Sequence, residues 1–112
     1  MTSESKIEPG TKYDAGKPPL ELISPIALAE LGKVLAFGAG KYDPHNWRRG
    51  FSWSRAAGAT LRHVFAWLGG ETNDRETGLN HLAHAFAEIM FLLEFAVTHP
   101  ELDDRWKPNE QD

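Results

Sequence analysis

Between Gly78 and Pro100 the chain reads GLNHLAHAFAEIMFLLEFAVTHP, a polar stripe set into an otherwise apolar helical repeat. His81, His84 and Glu88 fall at i, i+3 and i+7, so two imidazoles and a carboxylate line up along one side of a helix. Leu79, Leu82, Ala83, Phe86, Ile89, Met90 and Leu93 mark the opposite side, which is expected to face the core. The stripe needs partners and the apolar remainder needs cover. Aligned metal-competent side chains point to metal binding or phosphate chemistry; the plainer reading is that the histidines are simply hydrogen-bonded.

The rest of the sequence supplies two more helices and no convincing strand. Ser24 followed by Pro25 is a helix start, and Ile26, Leu28, Leu31, Val34, Leu35 and Phe37 carry that helix to about Gly40. Glycine at position 32 predicts close packing there. A second helix is predicted over about residues 54–68, capped by Ser52 or Ser54 and closed by Gly69-Gly70. The third is capped by Thr77 or Asn80 and ended by Pro100. Before the helices, KYDAGKPPLELISP reads as an extended arm, with Leu20, Leu22 and Ile23 as apolar anchors. The expected organisation is a disordered lead-in over 1–11, one domain over 12–104 and an acidic tail over 105–112, whose Trp106 is expected to dock on the body or on another subunit. The fold class is all-α: a compact bundle of three main helices with an extended N-terminal arm. The helices are apolar over more surface than a three-helix monomer can hide, which predicts a homo-oligomer, a dimer or tetramer.

Charge is distributed unevenly beneath a net value of −4. Lys33, Lys41, Arg48, Arg49, Arg55 and Arg62 face a single acid, Asp43, within residues 33–62, whereas residues 67–112 carry ten acids and three bases. If the two regions converge, they can hold a polyphosphate on one side and a divalent cation on the other; if not, they attract each other across a helix or subunit interface. The acidic balance argues against stable binding of duplex nucleic acid. With no cysteine, any metal must be held by nitrogen and oxygen. No apolar run long enough to span a membrane is free of charge or histidine, and MTSESKIEPG has no signal-peptide core, so a cytoplasmic protein without a membrane partner is expected.

The acidic turn ETNDRETG places Glu71, Asp74 and Glu76 just ahead of His81. Carboxylates with imidazole suit a divalent cation such as Mg, Mn or Co, which neutralises phosphate oxygens and lowers the pKa of bound water. Acids before a helix also simply favour its dipole. In the loop KYDPHNWRRGFSW, Tyr42, His45 and Trp47 offer ring faces, Asn46 an amide edge, and Lys41, Arg48, Arg55 and Arg62 are natural phosphate contacts. The competing reading is a basic loop whose Trp47 and Trp53 anchor to the core. No Walker-type GxxxxGKS/T is present.

The segments KYDAGKPPLELISPIAL, FGAGKYDPHNW, LRHVFAWLGGE and GLNHLAHAFAEIMFLLE, taken in order, resemble the small phage and prophage proteins assigned as the N-terminal domain of dATP/dGTP diphosphohydrolase, linked to the all-α MazG-like nucleotide pyrophosphohydrolases. The resemblance covers residues 12 to about 104 and implies metal-dependent cleavage of a purine deoxynucleoside triphosphate to monophosphate and pyrophosphate. Asp14, Lys17, Lys41, Tyr42, Asn46, Trp47, Arg62, His63, His81 and His84 match the family's blocks. The MazG-like arrangement, ExxE on one helix and ExxD on the next, is absent from the expected helices: Glu30 stands alone on helix one, and helix three carries HxxH. The resulting expectation assigns His63 and Glu71 to catalysis, and His81, His84, Asp74 and Glu88 to the metal. Lys17, Lys41, Tyr42, Asn46, Trp47, Arg55 and Arg62 are assigned to the substrate. The alternatives are a phage protein that sequesters a nucleotide used in host defence signalling without cleaving it, and an interaction protein whose basic stripe meets an acidic partner.

Overall fold

The computed structural model describes residues 9–110, so most of the expected lead-in and the last two residues of the tail lie outside the described residues. Three α-helices carry the architecture: α1 (Pro25–Lys41), α2 (Trp53–Leu68) and α3 (His81–Thr98), and no strand is formed among the described residues. α3 is the central element, with α2 packed along it most extensively and α1 more sparsely. By length and mean hydropathy, 1.3 over 18 residues, α3 would suffice to cross a membrane, as core helices of water-soluble proteins also do. His81, His84, Glu88 and Glu94 interrupt it, and both other helices pack on it.

Each helix is started by a different device. Ser24 Oγ accepts the Ala27 N–H at 3.1 Å, with Pro25 in the first turn. Asn80 Oδ1 accepts the Leu82 N–H at 2.7 Å and caps α3, while Thr77 serves the preceding turn by accepting from Leu79 N at 3.1 Å. At α2, Ser52 holds the cap position without a side-chain bond. The cap comes from far along the sequence: Asp104 accepts the Ser54 N–H at 2.9 Å and its hydroxyl at 2.5 Å. A carboxylate there satisfies an orphan donor and meets the positive end of the helix dipole.

Four sequence expectations about packing are corrected. The α3 face carrying Leu82, Phe86, Ile89 and Leu93 is exposed in the single chain, and the polar stripe faces inward, because small Ala56 on α2 and Ala83, Ala85 and Ala87 on α3 form the closely packed interior. Leu20 and Leu22 form a short 3₁₀ turn and stay exposed instead of anchoring the arm. Gly32 has open space around it, so close approach is not its role. Trp106, 73% exposed, does not dock on the body, although the segment before it does. Trp53 Nε1 donates to His99 O, and the Arg105 guanidinium lies over the Trp53 ring.

The loop between α1 and α2 is pinned to α3 by aromatic stacking. Trp47 lies 4.8 Å from Phe91 between ring centroids, and Phe51 meets Phe95 edge-on at 5.1 Å. Such pairs add about 0.5–1.5 kcal/mol each beyond area burial. Arg48 bonds Glu94 at 2.7 Å and lies over Trp47, and His99 Nε2 donates to Arg48 O at 2.8 Å. Between them, Gly50 takes φ +88°, and a Cβ there would stand 2.7 Å from Leu102 Cδ1. Trp47 is thus anchored on α3 through Phe91 and Phe95, whereas Trp53 is held by the C-terminal segment through His99 and Arg105.

Candidate functional site

The pinned loop closes one wall of a cleft of about 740 Å³, large enough to hold one nucleotide-sized ligand. Four elements meet there. The C-terminal half of α1 and its exit give Phe37, Lys41 and Tyr42, and the loop gives Asn46, Trp47 and Phe51. α2 gives Arg55, Arg62 and His63; the acidic turn gives Asp74, Glu76 and Thr77; α3 gives His84, Glu88 and Phe91. The basic centre and the acidic half of the sequence thus converge on one cavity.

The acidic turn reaches the cleft because it is folded back on the start of α3 by its backbone. His81 N donates to Thr72 O at 2.9 Å, Asp74 N to Leu79 O at 2.8 Å, and Gly78 N to Asp74 O at 2.8 Å, with Gly78 at φ +74°. Asp74 Oδ1 then accepts from the N–H groups of Glu76 and Thr77 at 2.8 and 2.9 Å, which leaves the other oxygen facing the histidines.

Three donors converge at the floor of the cleft: one nitrogen each from His63 and His81 and one oxygen from Asp74, all within 4.8 Å of one another. His63 Nδ1 and His81 Nδ1 are 2.8 Å apart, and Asp74 Oδ2 is 4.0 Å from His63 Nδ1. His81 is 4% exposed, behind the cleft wall, and its Nε2 donates to Glu71 Oε1 at 2.6 Å. That bond commits the Nε2 proton and turns the Nδ1 lone pair toward His63. A carboxylate behind an imidazole in this way is the usual second layer of a histidine-ligated metal. A two-nitrogen, one-carboxylate donor set fits a divalent transition ion. Arg75 Nε donates to the other oxygen of Glu71 at 2.6 Å.

His84 stacks on His63, 4.6 Å between centroids and 9° from parallel, and its Nε2 shares a 2.7 Å hydrogen bond with Thr77 Oγ1. Burial, then the neighbouring imidazoles, holds His63 below the ordinary histidine pKa; burial also depresses His84. Both rings are therefore neutral at physiological pH, the form that can ligate a metal or accept a proton. Burial pushes Asp74 up, but the N–H groups of Thr77 and Glu76, with the adjacent histidines, outweigh it and keep the carboxyl below its ordinary value. Glu88 is the reverse case: burial raises it to about 7 despite the opposing charge of Arg62.

Of the residues expected from sequence, Lys41, Tyr42, Asn46, Trp47, Arg55, Arg62, His63, Asp74, His84 and Glu88 line this one cleft. His81 and Glu71 stand behind its floor. Lys17 lies in the exposed arm and is not among the lining residues, and Arg48, considered for phosphate, is engaged by Glu94 and His45 instead. The converging donor group contains His63, where sequence spacing pointed to His84 and Glu88, because α2 presents His63 across the α3 stripe. Thr77 and Phe37 were not singled out as site residues; a hydroxyl in a turn and an aromatic on a helix carry no signal without the fold.

The fold and cleft define a small all-α protein whose cation-lined, aromatic pocket ends in a metal-competent histidine–aspartate group. The chain belongs to the family described as dATP/dGTP diphosphohydrolase, N-terminal, which matches residues 7–105. It is similar to the dATP/dGTP diphosphohydrolase of Salmonella phage PMBT28, 42% identical over 96 residues. That match covers 86% of this chain but spans only a third of the length of the phage protein. No solved structure matches.

Proposed function

We propose that the cleft takes a purine deoxynucleoside triphosphate and hydrolyses it to the monophosphate and pyrophosphate, with a divalent cation (Mg, Mn or Co) held by His63, Asp74 and His81. One observation carries the reading: Lys41, Arg55 and Arg62 share a single cavity with the histidine–aspartate group. The name of the phage relative supports the reaction class. The cation, when bound, supplies charge neutralisation at phosphate and a more acidic water. Arg55 and Arg62 are suited to grip phosphate oxygens two at a time, and Lys41 acts as a point charge. Phe37, Tyr42 and Asn46 offer a ring face and an amide edge for the base, while the stacked faces of Trp47 shape the wall. Hydrolysis joins a water oxygen to the α-phosphorus as the bond to the bridging oxygen breaks; neutral His84, or ionised Glu88, receives the proton. Glu71 is assigned an orienting role toward His81 in place of acid–base work. We place the reaction in phage nucleotide metabolism in the host cytoplasm.

A second reading is binding without turnover. Its support is that Glu30, the lone helix-one acid, is paired with Lys33 at 2.7 Å away from the cleft, so no helix-borne carboxylate pair faces the ligand. Incubation with each dNTP and Mg, Mn or Co, followed by chromatography, separates the two. Release of dGMP or dAMP with pyrophosphate, abolished in His63→Ala and His81→Ala, supports hydrolysis. Tight stoichiometric binding of intact nucleotide supports sequestration. Turnover that survives the paired histidine substitution removes the site assignment.

A further inference from the structure

The two side walls of the cleft differ in character. α1 and α2 both pack on α3, which lines the cleft between them with His84, Glu88 and Phe91. The α1 side is largely apolar, with Val34, Leu35 and Phe37, whereas α2 presents Arg55, Ala59 and Arg62, at i, i+4 and i+7 of one stripe. A small residue between two cations leaves room in front of both. Arg62 is turned toward Arg55: a Cβ on Gly58 would stand 3.4 Å from Arg62 Nη1, so the guanidinium lies back over the preceding turn. It is thereby level with a residue about 4.5 Å along the helix axis from Arg55 and about 7.5 Å from His63. Neighbouring cations are already engaged, Lys41 by Glu76, Arg48 by Glu94 and Arg75 by Glu71. Arg55 and Arg62 make neither hydrogen bond nor ion pair among the described residues, and Glu88 acts on Arg62 through its charge alone. Their planar forks of N–H donors are open to an anion.

The geometry points to a diphosphate subsite on the α2 wall: Arg55 and Arg62 hold the outer two phosphates of a nucleoside triphosphate, apart from the histidine–aspartate group, and take inorganic pyrophosphate on their own. This rests on the nucleotide reading of the cleft and adds a direction to it. With the α-phosphate at the His63 end, the two phosphates beyond it run along α2 toward Arg55, and the base turns to the α1 wall and Phe37. Two forks set apart along one stripe suit an anion longer than a single phosphate, because each pairs with two oxygens at once. A monophosphate reaches either the arginines or the histidine–aspartate end. A triphosphate reaches both, and is selected through its tail and not through its base. Pyrophosphate is then the product that the arginines retain when the bond between the α-phosphorus and the bridging oxygen has broken.

Titration calorimetry on the purified full chain, dialysed free of metal, tests the subsite with inorganic pyrophosphate as the probe and inorganic phosphate as the comparison. Pyrophosphate is expected to bind about 10-fold more tightly than phosphate or better, since a second charge-assisted pairing is gained. dGTP is expected to displace it, and dGMP at the same concentration is not. Arg55→Ala and Arg62→Ala should each weaken pyrophosphate by about 10-fold. Arg62→Lys should lose less, because the charge stays while the fork is lost. Arg49→Ala, outside the cleft, should leave the affinity unchanged. Neither cleft arginine is hydrogen-bonded within the fold, so helical circular dichroism should be kept in every variant. Absence of pyrophosphate binding at about 1 mM, an affinity too weak to hold a product, overturns the inference. So does an affinity that survives Arg55→Ala combined with Arg62→Ala, equal affinity for phosphate and pyrophosphate, or displacement by dGMP as strong as by dGTP. Assay of dGTP hydrolysis with Mn on the same preparations separates this from the nucleotide reading. Turnover without pyrophosphate binding removes the subsite alone, whereas arginine-dependent pyrophosphate binding without turnover upholds the subsite and removes the hydrolase.

Discussion

Glu71 Oε1 accepts the Nε2 proton of His81 at 2.6 Å, and His81 Nδ1 in turn lies 2.8 Å from His63 Nδ1. The carboxylate fixes which ring nitrogen of a buried histidine carries the proton, so that Nδ1 is the acceptor, taking a hydrogen bond from His63 Nδ1–H that a cation would displace. Glu71→Ala is expected to weaken Co or Mn binding about 10- to 100-fold, the usual effect of removing such an outer carboxylate. Glu71→Gln, which keeps an acceptor but loses the charge, should lose less. Titration calorimetry with the metal alone measures both. Unchanged affinity in Glu71→Ala would show that this carboxylate does not orient the site.

Asp104 closes a loop of fifty residues onto the first turn of α2 through Ser54. Asp104→Ala leaves that turn uncapped and is expected to cost about 1 kcal/mol. Asp104→Asn should recover much of it, because an amide oxygen still accepts. Urea denaturation followed by circular dichroism gives the comparison; equal losses in both variants would mean that charge, and not the cap, is what matters.

The helices were legible from sequence because their signals are local. Ser24-Pro25, Asn80 and the four-and-three spacing of apolar residues depend on neighbours within a turn, and all three helices formed where those signals placed them. The charge asymmetry of the basic centre and the acidic half was legible too, but that the two meet in one cavity is a result of the fold. Direction was not legible either. An apolar stripe and a polar stripe on one helix do not say which faces inward, and here Ala56, Ala83 and Ala87 allow the close approach that buries His81 and leaves Leu93 outside. Nor could spacing along α3 reveal that His63, presented by α2, completes the donor group. The Asp104 cap and the Thr77–His84 bond likewise join residues through the fold.

Gly50 lies where the loop leaves Trp47 and approaches the end of α3. Its φ of +88° is costly for any residue with a Cβ, and that atom would meet Leu102 Cδ1 at 2.7 Å and His99 Cδ2 at 2.9 Å. Gly50→Ala is expected to destabilise the protein by about 1–3 kcal/mol through strain and overpacking. Because His99 also holds Arg48 O, the loop should loosen from α3, and tryptophan emission should shift to the red as Trp47 separates from Phe91. Wild-type stability and emission in the variant would show that the loop accommodates a side chain there.

Glu88 gives stability a pH dependence of known sign. Its folded-state pKa is raised to about 7 by burial, above the ordinary value of 4.5. Between these values the folded chain binds more protons than the unfolded chain, so the contribution of this group to stability falls as pH rises from about 4.5 and levels off above about 7. His63 and His84, depressed by burial, act in the opposite sense: their contribution is complete above the ordinary 6.5 and is lost as pH falls below it. Glu88→Gln removes the first effect and leaves the second. The variant is therefore expected to melt at a higher temperature than the wild type at pH 8 and at nearly the same temperature at pH 4, with Arg62 then lacking its carboxylate neighbour in the cleft. Thermal denaturation of both proteins across pH 4–8 resolves the two contributions, and a stabilisation that does not grow with pH would show that Glu88 is ionised in the folded protein throughout that range.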